Sequence, residues 1–174
     1  MDKIRKKFSR FYNTYIERIY RFVYLKVNSQ EAAEDITSRV FTQSWDKFRT
    51  GQDIKNPRAY IYQIARNEVV SYYREKSKLR TVSIESAEII DPQPGVEEKN
   101  QLESDIEEVK KAISSLNDDY QNVLIWRYLD NLAIKEIAGI MERPEGTVRV
   151  MLHRALKELR EKLGNDQNRA NFQK

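Results

Sequence analysis

The sequence predicts an all-α fold of two small helical domains, the second built around a helix-turn-helix, joined by a flexible acidic linker. Three observations carry this prediction. Apolar residues recur every three or four positions through most of the 174 residues. Gly and Pro number only five and four, too few for a turn-rich β fold. Charge also falls into blocks. Residues 1–80 hold 18 Lys and Arg against 9 Asp and Glu, residues 81–120 hold 3 against 11, and residues 121–174 hold 10 against 7. The net values of +9, −8 and +3 place two basic segments on either side of an acidic one. Clustered cations of this kind suit a polyanionic partner, which the middle block repels.

The first element follows from Phe8, Phe11, Tyr12, Tyr15, Ile16, Ile19, Phe22, Val23 and Val27, an apolar stripe of helical period. Asn28 and Ser29 then offer N-caps, with Glu31 spaced for a capping box on Asn28. Ala33, Ile36, Val40, Phe41, Ser44, Trp45 and Phe48 mark the buried side of a second helix, whose outward face carries Glu34, Asp35, Arg39 and Asp46. Thr50, Gly51 and Gln52 interrupt the pattern. Asn56 followed by Pro57 is an N-cap and a first-turn proline, so a third helix opens there. Ile61, Ile64, Ala65, Val69 and Tyr72 face inward. Arg58, Tyr62, Arg66, Asn67, Tyr73 and Arg74 are left for solvent or a ligand. Fourteen of the 18 aromatic residues lie within residues 1–80, the span of the first domain.

Helical period fades between residues 81 and 103, where Asp91, Pro92, Gln93, Pro94 and Gly95 read as a linker. Fully extended it would span on the order of 75 Å. The second domain covers 104–165. Ser104 and Glu107 are spaced as a capping box before Ile106, Val109, Ile113 and Leu116. Asn117, Asp118 and Asp119 open another helix with Tyr120, Val123, Leu124 and Tyr128 expected inside, and Asp130 and Asn131 close it. Leu132, Ile134, Ile137, Ala138 and Met141 form a short helix, Glu142, Arg143 and Pro144 break it, and Val148, Leu152, Ala155, Leu156 and Leu159 form a longer one. Two helices across so tight a break form a helix-turn-helix. Arg149, Val150, His153, Arg154 and Lys157 occupy the free side of its second helix. Residues 166–174 read as a disordered tail.

Composition also excludes. There is no cysteine and one histidine, which removes disulfides, thiol nucleophiles, thiolate metal sites and multi-histidine catalytic pairs. No catalytic residues, metal or cofactor are expected, and the chain is expected not to be an enzyme. The charged amino terminus lacks the apolar core of a signal peptide, and no window approaches the roughly 18 apolar residues of a membrane helix, so a cytoplasmic protein without membrane insertion is expected.

The stretch SLNDDYQNVLIWRYLDNLAIKEIAGIMERPEGTVRVMLHRALKELREKL resembles region 4 of bacterial RNA polymerase sigma factors. AAEDITSRVFTQSWDKF with NPRAYIYQIARNEVVSYYREKSK resembles their region 2. Their order, with no domain between them, is similar to the extracytoplasmic-function (ECF) group. The resemblance implies a subunit that binds core RNA polymerase and directs it to promoters. Region 2 would clamp a polymerase coiled coil through Glu34, Asp35, Ser38, Arg39 and Asp46. Asp35 matches the family's usual acid, whereas Ser38 and Arg39 stand where Gln and a further acid are common. Region 2 would also engage the minus-ten element as strands separate, through Lys55, Asn56, Arg58, Tyr62, Arg66, Asn67, Tyr73 and Arg74. Exposed base faces stack on aromatic rings and phosphates meet cations, while Tyr60 and Tyr72 are assigned to the core.

Region 4 would read the minus-thirty-five element from the major groove through Glu145, Gly146, Thr147, Arg149, Val150, His153, Arg154 and Lys157. A glycine is usual in the turn where this chain has Glu142. Promoter DNA, core polymerase and an anti-sigma factor are the partners so implied. Two other readings compete: a stand-alone helix-turn-helix regulator, which would dimerise on a palindromic site without needing residues 1–80, and a nucleic-acid enzyme, which would need grouped carboxylates the sequence scatters. The acidic linker is expected to fold back on a basic domain in the free protein or to mimic nucleic acid inside polymerase.

Overall fold

A computed structural model describes residues 2–83 and 101–171, with side chains described over 3–79 and 106–164. All regular structure among the described residues is helical: α1 (Asp2–Val27), α2 (Gln30–Arg49), α3 (Pro57–Ser83), α4 (Gln101–Ser114), α5 (Asp118–Leu124), α6 (Ile134–Met141) and α7 (Glu145–Asn171), with a π-helical turn at Ile125–Leu129 after α5.

Local chemistry sets most of the boundaries. Asn28 is not the expected N-cap of α2. It has φ +50°, and its N–H donates to the Tyr24 carbonyl at 2.8 Å, so it ends α1 in the left-handed conformation that Asn tolerates. Ser29 caps α2 instead, its hydroxyl accepting from Ala32 N–H at 3.3 Å. Gly51, at φ +72°, turns the chain after α2. Asn56 caps α3 as expected, its Oδ1 accepting from Ala59 N–H at 3.1 Å, and Asn117 caps α5 through Tyr120 N–H at 2.9 Å. Helix α4 begins at Gln101, so Ser104 lies inside it rather than at its cap. Helix α7 runs through Asn171, so residues 166–171 are helical where a tail without structure was expected, and residues 172–174 lie outside the described residues. Most of the linker, residues 84–100, also lies outside them.

Helices α1–α3 form one bundle around Ile19, Val23, Ile36, Val40, Ile61 and Ala65, all fully buried. Phe8, Phe11, Phe41, Trp45 and Phe48 close one end of it with ring centroids 4.9–6.2 Å apart. Helices α4–α7 form the second bundle, with Val123, Ile137, Ala138, Val148, Leu152 and Ala155 buried.

The two bundles share one apolar core. Trp126 stacks on Phe22 at 5.6 Å and meets Tyr62 edge-on at 5.9 Å, and all three rings are fully buried. The π-helical turn places that tryptophan. The Asp130 N–H donates to the Ile125 carbonyl five residues back at 3.1 Å, so one extra residue fits into the turn and the buried face rotates. Ile125 and Trp126 go inside, while Tyr128, expected inside on an α-helical count, is 55% exposed. Asn131 then reverses the chain at φ +53°. Of the stripe expected for α4, Leu116 just beyond the helix is buried and Ile113 half-buried, whereas Ile106 and Val109 are exposed and Ala112 is buried in their place.

Candidate nucleic-acid interface

The helix-turn-helix is assembled from α6, the turn 142–144 and α7. Glu136 stabilises the start of α6 by accepting from Ala133 N–H at 2.8 Å. Glu142 ends it at φ +55°, ψ +42°, and Arg143 N–H donates to the Ala138 carbonyl at 3.1 Å. A left-handed Glu carries a Cβ cost that Gly does not. Glu142→Gly is therefore expected to stabilise the chain by about 1 kcal/mol, a rise in Tm of about 3 °C. Thermal unfolding measures this, and Glu142→Ala should give no comparable gain.

Helix α7 is packed by α4, α5 and α6. Val148, Leu152 and Ala155 point into that packing. Glu145, Gly146, Arg149, Val150, His153, Arg154 and Lys157 are exposed together on the other side, and Thr147 is half-buried. Space over Gly146 is open, leaving the first turn of α7 accessible to a backbone or phosphate. Arg149 lies beside Glu145, 3.2 Å away along the helix.

The expected ligand face of α3 is partly occupied. Lys55, Asn56, Asn67 and Arg74 are exposed, with Asn56 also serving as the α3 cap. Tyr62 corrects the sequence reading. It is fully buried and its hydroxyl donates to Asp130 Oδ2 at 2.7 Å. Burial first, then the adjacent Asp130 carboxylate, push its phenol pKa strongly upward, so it stays protonated as the donor. Arg58 pairs with Glu136, and Arg66 reaches Asp119 at 2.9 Å and Asp118 at 3.7 Å. Tyr73 remains 46% exposed while its hydroxyl donates to the Lys26 carbonyl.

Two cations of α1 complete the contact. Arg21 pairs with Asp130, and Lys26, almost wholly buried, pairs with Asp118. Burial lowers the Lys26 pKa and Asp118 opposes that shift by stabilising the ammonium. Sequence reasoning assigned no site role to Arg21, Lys26, Trp126, Asp130 or Glu136. The lone buried Trp of the second bundle, followed four residues later by an acid, was the only local signal.

On α2, Glu34, Asp35, Ser38 and Asp46 are exposed. Arg39 is less so, bridging Asp35 Oδ2 and Glu68 Oε2 at 3.1 Å each. Glu34 and Ser38 border an open groove between α1 and α2 lined by Tyr12, Ile16, Phe41 and Trp45. Among the described residues no cluster of three or more His, Asp or Glu could hold a metal ion, and no helix is long and apolar enough to cross a membrane.

Two family models match, Sigma-70 region 2 over residues 11–79 and Sigma-70 region 4 over residues 106–159. The chain belongs to the sigma-70 family. Its relatives place it with the ECF sigma factors. It is 28% identical over 168 residues to the ECF RNA polymerase sigma factor BldN of Streptomyces coelicolor, covering 91% of this chain and 61% of that relative. It is 23% identical over 162 residues to the ECF RNA polymerase sigma factor SigX of Bacillus subtilis, covering 90% and 84%. Among solved structures it is similar to the sigma factor RpoE of Bartonella quintana, crystallised with the anti-sigma factor NepR, at TM-score 0.70, 22% identity and coverage of 91% and 98%. CnrH, solved with the cytosolic domain of CnrY, gives TM-score 0.67 at 14% identity, with coverage of 93% and 90%. In sigma-70 terms α1–α3 carry region 2 and α4–α7 carry region 4. The bundle contact described above is thus a contact between region 2 and region 4 of an ECF sigma factor.

Proposed function

We propose that the chain binds core RNA polymerase through α2 and directs it to promoters, α7 reading the minus-thirty-five element and α3 the minus-ten element. The observation that carries this reading is the exposed Arg149, His153, Arg154 and Lys157 face on a helix held by a helix-turn-helix, in a chain that also bears region 2. Region 2 is what a stand-alone regulator would not need, and its presence favours the sigma reading. Arginine side chains on α7 are suited to guanine edges and phosphates in a major groove. Glu34, Asp35, Ser38, Arg39 and Asp46 are the polymerase contacts in this reading. An anti-sigma factor is the further partner, by analogy with the complexes in which RpoE and CnrH were solved. The work is done in the cytoplasm and the chain supplies no bond-making chemistry.

Two weak contacts on one chain reinforce each other, because the first raises the effective concentration of the second. Mixing the purified chain with core polymerase and a library of promoter fragments tests the reading. A stable complex and transcripts with defined start sites are expected; absence of both rejects it.

A further inference from the structure

The exposed side of α7 carries Arg149, His153, Arg154 and Lys157, and Glu145 is the one acid assigned to it. Arg149 Nη2 donates to Glu145 Oε2 at 3.2 Å, one turn along the helix. Among the described residues Arg154 and Lys157 have no ion-pair partner. The cation nearest the start of α7 is therefore held by a carboxylate, while those further along are left to meet an anion directly.

That difference bears on what Arg149 can bind. A guanidinium has five N–H donors, and its bond to Glu145 uses one of them. Enough remain for the two-bond contact with O6 and N7 of a guanine, whose edge is uncharged. A phosphate brings its own negative charge up to the Glu145 carboxylate, and like charges at that distance repel. Phosphate contacts carry no sequence information, whereas base contacts do. The pair is also easily rearranged, because the Arg149 and Glu145 side chains are 62% and 46% exposed and an ion pair in water is weak. We propose that Glu145 is a specificity-determining residue of α7: its carboxylate withholds Arg149 from phosphates and leaves it to guanine. Sequence-independent affinity is thereby lowered and discrimination raised. The proposal rests on the reading of α7 as the helix that meets duplex DNA.

Fluorescence anisotropy of the full chain tests it, with a short duplex of scrambled sequence and a duplex of equal length recovered from the promoter library, over a series of salt concentrations. Glu145→Gln removes the charge and keeps the length of the side chain. It is expected to raise affinity for the scrambled duplex by about fivefold, the scale of one exposed charge interaction. The salt dependence should steepen by about 0.9 in log–log slope, the signature of one added phosphate contact. Affinity for the recovered duplex should rise by less than about twofold, so the ratio of the two falls. With Arg149→Gln already in place, Glu145→Gln should change scrambled-duplex affinity by less than about twofold, and so should Glu161→Gln, which removes an exposed acid further along α7.

No gain on the scrambled duplex, an equal gain on both duplexes, a gain that persists in full without Arg149, or an equal gain from Glu161→Gln overturns the proposal. Arg149→Gln with Arg154→Gln checks the reading of α7 itself and is expected to weaken binding of the recovered duplex. Unchanged binding there refutes that reading, and the proposal falls with it. Weakened binding there, with no gain from Glu145→Gln, refutes the withholding alone.

Discussion

Trp126→Ala is expected to lower the unfolding free energy by about 4 kcal/mol, the largest stability effect of any single substitution considered. The indole is fully buried between Phe22 and Tyr62, so its removal forfeits transfer free energy and leaves a void that rigid neighbouring rings fill poorly. Among the described residues its Nε1 has no hydrogen-bond partner, so the expected loss is one of packing. Since the ring joins the core of region 2 to that of region 4, loss of a single cooperative transition is expected along with the lower stability. Denaturant unfolding followed by circular dichroism measures both, and Trp126→Phe should recover part of the loss. A change below about 1 kcal/mol for the alanine variant would show that the ring is not part of a shared core.

Arg149→Ala combined with Arg154→Ala is expected to reduce transcription from a promoter with its minus-thirty-five element by about 100-fold, the product of two guanidinium contacts at 1–3 kcal/mol each. Both side chains stand on the exposed face of α7, while the residues that hold α7 in place, Val148, Leu152 and Ala155, are untouched. The variant should therefore keep its Tm and its affinity for core polymerase. Removing the upstream element from the promoter should abolish the difference between variant and parent. In vitro transcription from paired templates decides this, and an equal loss on both templates would refute the assignment to the upstream element.

How much of this was legible in the sequence depends on the range of the interaction. Asn56–Pro57 and Asn117 announced the starts of α3 and α5 because a cap is a bond to a backbone three residues away. The exposed side of α7 was legible because its buried side repeats within one helix. Tyr62 was not, because it neighbours the α3 stripe at Ile61 and Ala65 and is covered by a residue 64 positions further on. The acid that takes its hydroxyl hydrogen bond lies 68 positions away. Tyr128 failed for a different reason: apolar periodicity assumes 3.6 residues per turn, and one π-helical turn shifts every later position. Glu142 was informative as an anomaly. The expectation of a glycine marked the place where the backbone needs positive φ, and the chain adopts it at φ +55° without one. Asn28 shows the limit of motif spacing, since its side chain type suits either end of a helix and only the backbone of Tyr24 decided which.

The packing of α7 by α4, α5 and α6 has one more consequence, for the order of events. That helix presents its cations to solvent in the same arrangement in which Arg58, Tyr62 and Arg66 of α3 are engaged. In the function proposed above, a chain so folded would meet intact duplex through α7 before α3 is free to hold a separated strand. The two promoter elements would then be read on a schedule, upstream first and downstream second, with the schedule written into which helix the protein leaves uncovered.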